Sequence, residues 1–400
     1  MAINEKMLAL GSKRSIIREI FEYGKKRASE IGEENVFDFS LGNPSVPTPK
    51  DVISVIEELT KNNPLSLHGY TSAQGDAETR EAVACKIRED FGVKINRDLI
   101  YMTCGAAASL AITLKALVEE GAGDEVIVFA PFFTEYRVFI ENAGAKVIVS
   151  KPDLNSLQID ISDLEKRITP STKAVILNSP NNPSGVVYSE ETISAVCDIL
   201  TKKSLEFNRE IFLISDEPYR ELVYTGASVP YLMNYYKNTL VCYSYSKSLS
   251  LPGERIGYIA VCPLMREAEK IYAAICGAGR SMGYVCAPSL FQKVIARCVN
   301  SCADISIYRK NRDTLYSALC SYGFDCVKPD GAFYLFMRSP EPDAYAFFEE
   351  AKKKDILLVP CDDFGISGFV RIAYCVSEER IKAALPAFEA LANYYGLKRN

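Results

Sequence analysis

Seven short apolar runs between residues 98 and 261 constrain this chain more than any other feature: DLIYMTC, DEVIVFA, AKVIVS, KAVILNS, EIFLISD, TLVCYSYS and RIGYIAV. Stretches with helical spacing separate most of them, among them GAAASLAITLKALVEE, FTEYRVFIENAG, DISDLEKRI and SEETISAVCDILTKK. Strands that are apolar throughout, rather than at alternate positions, are covered on both faces. Helices between them supply the crossovers that parallel pairing needs. The expected fold is therefore α/β, a large domain with a mostly parallel seven-stranded sheet between helices. In such sheets ligands bind at the carboxyl ends of the strands.

The pattern changes on both sides of this region. Residues 1 to 30 carry one helical pattern, which FDFSLGNPSVPTP breaks with Gly42, Pro44, Pro47 and Pro49. Residues 51 to 61 and 74 to 90 read as amphipathic helices. From about 285, two long helical stretches, roughly 284 to 300 and 303 to 322, lead into the strands GAFYLFM and GFVRIAYC and a terminal helix from about 378 to 395. This end reads as a smaller α+β domain. The expected division is a large domain over 46–285 and a small discontinuous one made of 1–45 and 286–400.

Composition removes several functions. A net charge of −5 argues against a protein that lives on nucleic acid phosphates. No run approaches the length needed to span a bilayer, and the first residues lack an apolar signal core. The 13 cysteines are an odd, scattered set with no C-x-x-C pair, which suits a reducing compartment, and the chain is read as cytoplasmic. Cys298 and Cys302, four apart in a helical pattern, are read as small core residues. There is one histidine, His68, beside Gly69 and Tyr70 and read as structural. A histidine-rich metal site is excluded and no metal is expected. Acid–base chemistry must rest mainly on Lys, Asp, Glu, Tyr or Cys.

The strand ends hold the candidates. CGAAASL follows the first strand and opens a helix whose N–H groups could face an anion, although small residues there also serve tight packing. PNNPSG would hold Asn181 and Asn182 in fixed directions. DEPY places Asp216 at the end of an apolar strand, where a carboxylate needs a partner, with Tyr219 three residues on. SYSKSLSLPGERIGY puts Ser244, Ser246 and Lys247 at the end of another, with Arg255 following. A desolvated lysine loses its charge more easily and can attack a carbonyl or move a proton. The set comprises an amine for a Schiff base, a carboxylate for a ring nitrogen, donors for a phenolate oxygen, and serines, an arginine and helix-start amides for a phosphate. Together they specify a pyridoxal 5'-phosphate site.

At this point the chain resembles the class I/II aminotransferases of pyridoxal-phosphate fold type I, of the aspartate-aminotransferase kind. The resemblance runs through LGNPSVPTP, YTSAQGDAETREAVA, TCGAAASL, PFFTEY, SPNNPSG, DEPY, SYSKSLSLPGERIGY, KPDGAFY and FVRIAY, in the family's order. It implies that Lys247 is the Schiff-base lysine and acid–base, Asp216 the pyridinium partner, and Tyr219 and Asn182 the donors to the ring oxygen. It implies that Phe133 stacks on the ring. Gly105, Ala106 and Ala107 with Ser244, Ser246 and Arg255 would form the phosphate cradle. Arg371 would clamp the substrate's α-carboxylate, helped by the Gly42 backbone, with Asn182 beside them. Tyr70 would reach the phosphate of a neighbouring subunit, which implies a homodimer with shared active sites.

The expected activity is transfer of an amino group from an L-amino acid to a 2-oxo acid in ping-pong half-reactions. A C–S β-lyase of the cystathionine-cleaving kind uses the same site, and pyruvate release would distinguish it. A non-catalytic effector-binding regulator would need a further DNA-binding domain, for which the short segment before LGNP leaves little room. Two departures from the family pattern bear on the substrate. Ala107 stands where some enzymes for dicarboxylic amino acids have a lysine, which weakens an aspartate assignment; Arg280 of a neighbouring subunit is a substitute cation, although a structural role is the favoured reading of it. Ser184 replaces a threonine and keeps the hydroxyl.

Overall fold

The computed structural model describes residues 3–12, 15–62 and 64–398. Its first strand, β1 (Phe37–Asp38), lies apart from the large sheet. That sheet is built from β2 (Ile100–Thr103), β3 (Glu125–Phe129), β4 (Lys146–Ser150), β5 (Thr172–Asn178), β6 (Phe212–Asp216), β7 (Thr239–Ser244) and β8 (Gly257–Val261), in the order β2-β8-β7-β6-β5-β3-β4. Pairing is parallel from β4 through to β7, and β8 runs antiparallel to both of its neighbours. The seven strands are those expected from the apolar runs. Val175, Leu213, Ile214, Leu240 and Val241 are fully buried. Each such side chain contributes about 1.5–3 kcal/mol relative to exposure.

Register sets the site. Asn178 pairs with Asp216, so two polar strand ends lie side by side. Ser244 and Thr103 both pair with Gly257, one on each side of β8. A Cβ on Gly257 would stand 2.3 Å from the Tyr243 carbonyl and 3.0 Å from the Gly105 Cα. Glycine there lets the turn after β2 close on the end of β7.

Beyond the large sheet lie β9 (Cys326–Val327), β10 (Tyr334–Arg338), β11 (Ile356–Leu357), β12 (Val359–Pro360) and β13 (Phe369–Ala373). The order β12-β13-β10-β9 forms an antiparallel four-stranded sheet. β1 pairs in parallel with β11, which carries the proline-rich connector to the C-terminal part of the chain. Phe39 and Ile20 are buried in the same apolar cluster as Phe347, Phe388 and Ile372.

The helices depart from expectation in instructive places. The single pattern over residues 1 to 30 divides into Glu5–Ser12 and Ile16–Ile31. Lys13 and Arg14 lie outside the described residues. The stretch expected at 284–300 is helical only over Ser289–Cys298, because Pro288 cannot extend a helix backwards and sits at its start. Cys302 lies beyond that helix and is exposed, while Cys298 is buried, so the expected core pair is not formed. Ala268–Ser281 is a helix that the sequence reading did not separate, and it packs on the helix Ala106–Leu117. Asp76 caps the helix Ala77–Phe91 by accepting from the amides of Glu78 and Thr79, an arrangement worth about 1 kcal/mol.

Candidate active site

The ends of β2, β5, β6 and β7 open on one cavity of about 750 Å3. Twelve of the residues expected at the site line it: Gly42, Ala106, Ala107, Phe133, Asn182, Asp216, Tyr219, Ser244, Ser246, Lys247, Arg255 and Arg371. Gly105 sits just behind, capping the helix Ala106–Leu117 at φ +85°. An added Cβ there would stand 3.0 Å from Arg255 Nη2. Tyr70 does not line the cavity and is fully exposed. Arg280 and His68 are also exposed and outside it.

Lys247 rises from the short helix Tyr245–Ser248 directly after β7. Burial pushes its pKa down to about 8. The nearby Cys375 opposes this, and the guanidiniums of Arg255 and Arg371 add to it. Its Nζ donates to the Gly42 carbonyl at 2.8 Å and lies 5.2 Å from the Phe333 ring centroid. So the Gly42 carbonyl holds the lysine amine, a contact the sequence reading did not foresee. Asp216 ends β6. Burial pushes its pKa up to about 7, against the Tyr136 hydroxyl, which donates to Oδ2 at 2.5 Å. Oδ1 is buried without a partner among the described residues. A buried carboxylate oxygen with nothing to accept from is costly, and a protonated ring nitrogen would supply what it lacks.

Arg371 is also incompletely met among the described residues. Arg371 lies on β13 with its guanidinium over the Tyr334 ring at 4.7 Å. It donates from Nη2 to the Ser40 carbonyl at 2.5 Å and from Nη1 to Asn182 Oδ1 at 3.1 Å. Its Nε is buried and has no partner among the described residues. Tyr219 shares a hydrogen bond of 2.9 Å with Tyr334, and burial holds its phenol well above the usual range, so it remains a donor. Ser244 Oγ accepts from the Ser246 amide at 3.2 Å and lies 2.7 Å from Ser246 Oγ. These hydroxyls, the amides opening the helix Ala106–Leu117, and Arg255 are donors of the kind that suit an anion, and they line one cavity.

Several residues escaped the sequence reading. Asn178 donates to the Asp216 carbonyl at 2.9 Å and accepts from the Asn182 amide at 2.7 Å, tying two strand ends together. Asn181 turns inward and accepts from Ser184 Oγ at 2.7 Å, while Asn182 faces the cavity. Tyr136 carried a signal, one turn after Phe133 in PFFTEY. Glu135 stands in the same motif, whereas Arg18 carried no signal, since only the fold brings the helix Ile16–Ile31 to the cavity. Neither forms an ion pair or hydrogen bond among the described residues.

A cavity that offers an amine of lowered pKa, a buried carboxylate oxygen without a partner among the described residues and a buried guanidinium suits chemistry at the α-amino group of amino acids through pyridoxal phosphate. The family model "Aminotransferase class I and II" matches residues 34–388, and the chain belongs to that family. It is an aminotransferase, and the family's cofactor is pyridoxal phosphate. The aspartate aminotransferase of Thermotoga maritima is 30% identical over 377 residues, covering 90% of this chain and 92% of that one. The aspartate/prephenate aminotransferase of Thermus thermophilus is 30% identical over 371 residues, covering 90% and 93%. A crystal structure of an aminotransferase from Eubacterium rectale superposes with a TM-score of 0.96 at 56% identity, covering 99% of each chain.

Proposed function

We propose that Lys247, Asp216 and Tyr219 are the catalytic residues of this aminotransferase. The observation that carries the reading is Asp216 Oδ1, buried without a partner among the described residues, on a side chain that lines the same cavity as an amine of lowered pKa. Bound pyridoxal phosphate supplies an electron sink for the charge that develops at the substrate's Cα. Lys247 Nζ would carry the cofactor, then take the proton from Cα and redeliver it. Asp216 would hold the ring-nitrogen proton, supported by Tyr136. Tyr219 and Asn182 would donate to the ring oxygen, and Phe133 would pack on the ring. Gly105, Ala106, Ala107, Ser244, Ser246 and Arg255 would hold the phosphate.

Arg371 would bind the substrate's α-carboxylate, with Gly42 and Asn182 beside it. We assign the substrate's side chain to the wall that carries Arg18, and the preferred substrates to dicarboxylic acids. Ala107 supplies no cation, and Arg18 stands in the first turn of its helix, where the macrodipole disfavours a positive charge. Glu135 has a local reason for its place, since the first turn of a helix favours a carboxylate. Relatives named for aspartate support the same class. Steady-state kinetics test both assignments. Arg371→Lys should raise KM for every amino donor by about 10- to 100-fold, because the planar pairing is lost, with cofactor affinity little changed. Arg18→Gln should raise KM for aspartate and 2-oxoglutarate but not for monocarboxylic substrates. A loss of cofactor affinity in Arg371→Lys without loss of substrate affinity would refute the clamp.

A homodimer with shared sites is supported by Tyr70 and Leu65, both almost fully exposed, with Tyr284 and Val285 also open to solvent. Exposed apolar groups in such numbers favour a covering partner. Sedimentation equilibrium should give twice the mass of 44.4 kDa. The pairing of β1 with β11 supports a small unit of residues 1–45 and 286–400 against a large unit of 46–285. The 13 cysteines, none joined to another, support a cytoplasmic setting. Among the described residues no helix is long and apolar enough to cross a membrane.

A further inference from the structure

Glu221 lies five residues beyond Asp216 and has no task in the reaction described above. Its Oε1 accepts from the Tyr243 hydroxyl at 2.8 Å. Its Oε2 is buried with no partner among the described residues. Arg220 forms no ion pair with it among the described residues, although its charge favours the ionised carboxyl. Arg220 Nε is paired with Glu217 Oε2 at 2.5 Å, and its other nitrogens donate to the carbonyls of Val229 and Pro230 at 3.0 and 3.2 Å. The guanidinium also lies against the rings of Phe91 and Tyr231, at 5.1 and 5.0 Å. Burial raises the pKa of the Glu221 carboxyl, with the Tyr243 hydrogen bond and, after it, the Arg220 charge opposing. Beside it is a second cavity of about 20 Å3, lined by Glu221, Tyr243, Tyr245 and Tyr258 among others. That is room for one water.

The tyrosine continues the connection. Tyr243 oxygen is 2.9 Å from Ser248 Oγ. A phenol has one proton, so if Tyr243 donates to Glu221, then Ser248 donates to Tyr243. The Tyr243 ring is stacked on Tyr258 with centroids 5.0 Å apart and planes at 21°, which limits its swing. Ser248 follows Lys247 in the short helix Tyr245–Ser248, and its carbonyl accepts from the Ala303 amide at 2.7 Å. The connection Ser248–Tyr243–Glu221 therefore joins the turn after β7, which bears Lys247, to the segment after β6, which follows Asp216 and bears Tyr219. An incompletely met buried carboxyl is costly, and an apolar side chain of similar size would serve folding better.

We propose that Glu221 is a positioning residue of the aminotransferase site, holding the Lys247 turn in register with Asp216 and Tyr219 through Tyr243 and Ser248. The inference rests on the assignment of Lys247 above. The test compares holoenzyme variants Glu221→Ala, Tyr243→Phe and Glu221→Gln with the unmodified enzyme. Three readouts are used: the pH titration of the bound cofactor's absorbance, kcat against KM, and amide hydrogen exchange over residues 244–249. Glu221→Ala and Tyr243→Phe should each lower kcat about 10- to 100-fold with donor KM little changed, as expected of small misplacements. They should also displace the titration midpoint and speed exchange in the turn. Glu221→Gln keeps an acceptor for Tyr243 and should restore all three. If Glu221→Ala does not fold, Tyr243→Phe and Glu221→Gln carry the comparison. A wild-type midpoint and kcat in Tyr243→Phe, or a glutamine variant that does not rescue, would overturn the proposal. Lys247→Ala separates the two levels. If that variant keeps the wild-type absorbance titration, the assignment of Lys247 fails; if it loses it, only the role of Glu221 is in question.

Discussion

Lys247→Ala should abolish turnover while leaving the fold intact. The expected loss in kcat is about 1,000-fold or more, since one side chain serves both as nucleophile and as proton carrier. Folding should survive because among the described residues the amine makes one hydrogen bond, to the Gly42 carbonyl, and removal of a partly buried ammonium relieves desolvation. Pyridoxal phosphate should still bind through the cradle, but its absorbance should resemble that of the free aldehyde. Far-ultraviolet circular dichroism and single-turnover assays check the two halves of the expectation. Normal turnover in this variant would overturn the site assignment.

Asp216→Asn should lower kcat by about 100- to 1,000-fold, the range for loss of one preorganised electrostatic partner. The same variant carries a signed pH effect in the cofactor-free protein. An aspartate in the unfolded chain titrates near 3.9, and Asp216 in the fold at about 7. Across that window the folded protein keeps a proton that the unfolded chain has released. Stability therefore falls as pH rises from about 4 to 7, and the penalty is full above the folded value. Asparagine does not titrate, so the cofactor-free Asp216→Asn protein should gain in Tm relative to the unmodified protein between pH 5 and pH 8. Cofactor should stabilise the unmodified protein more at pH 8 than at pH 5, because the ring-nitrogen proton then meets an ionised carboxylate. A Tm difference that stays level from pH 5 to pH 8 would show that Asp216 is not held protonated by the fold.

Much of the candidate site was legible in the sequence, because the side chains that line the cavity sit where local signals change. Asp216, Ser244 and Lys247 each follow an apolar run, and the run itself marks the strand end. The helix ends were less legible. Residues 1 to 30 keep helical spacing across a place where the structure has two helices. The stretch from 284 has helical composition but begins its helix only after Pro288.

The amino-acid sequence by itself determined the strands, their helical crossovers and the residues at their carboxyl ends, because periodicity, turn chemistry and apolar runs are properties of neighbours along the chain. Only the tertiary structure decided which of those residues meet. Arg371 reaches Asn182 across 189 positions, Tyr136 reaches Asp216 across 80, and Tyr243 reaches Glu221 across 22. It also decided their protonation. The lowered pKa of Lys247 and the raised pKa of Asp216 both come first from burial. Burial is set by what the whole fold places around a side chain, and the residues on either side of it in the sequence do not encode it.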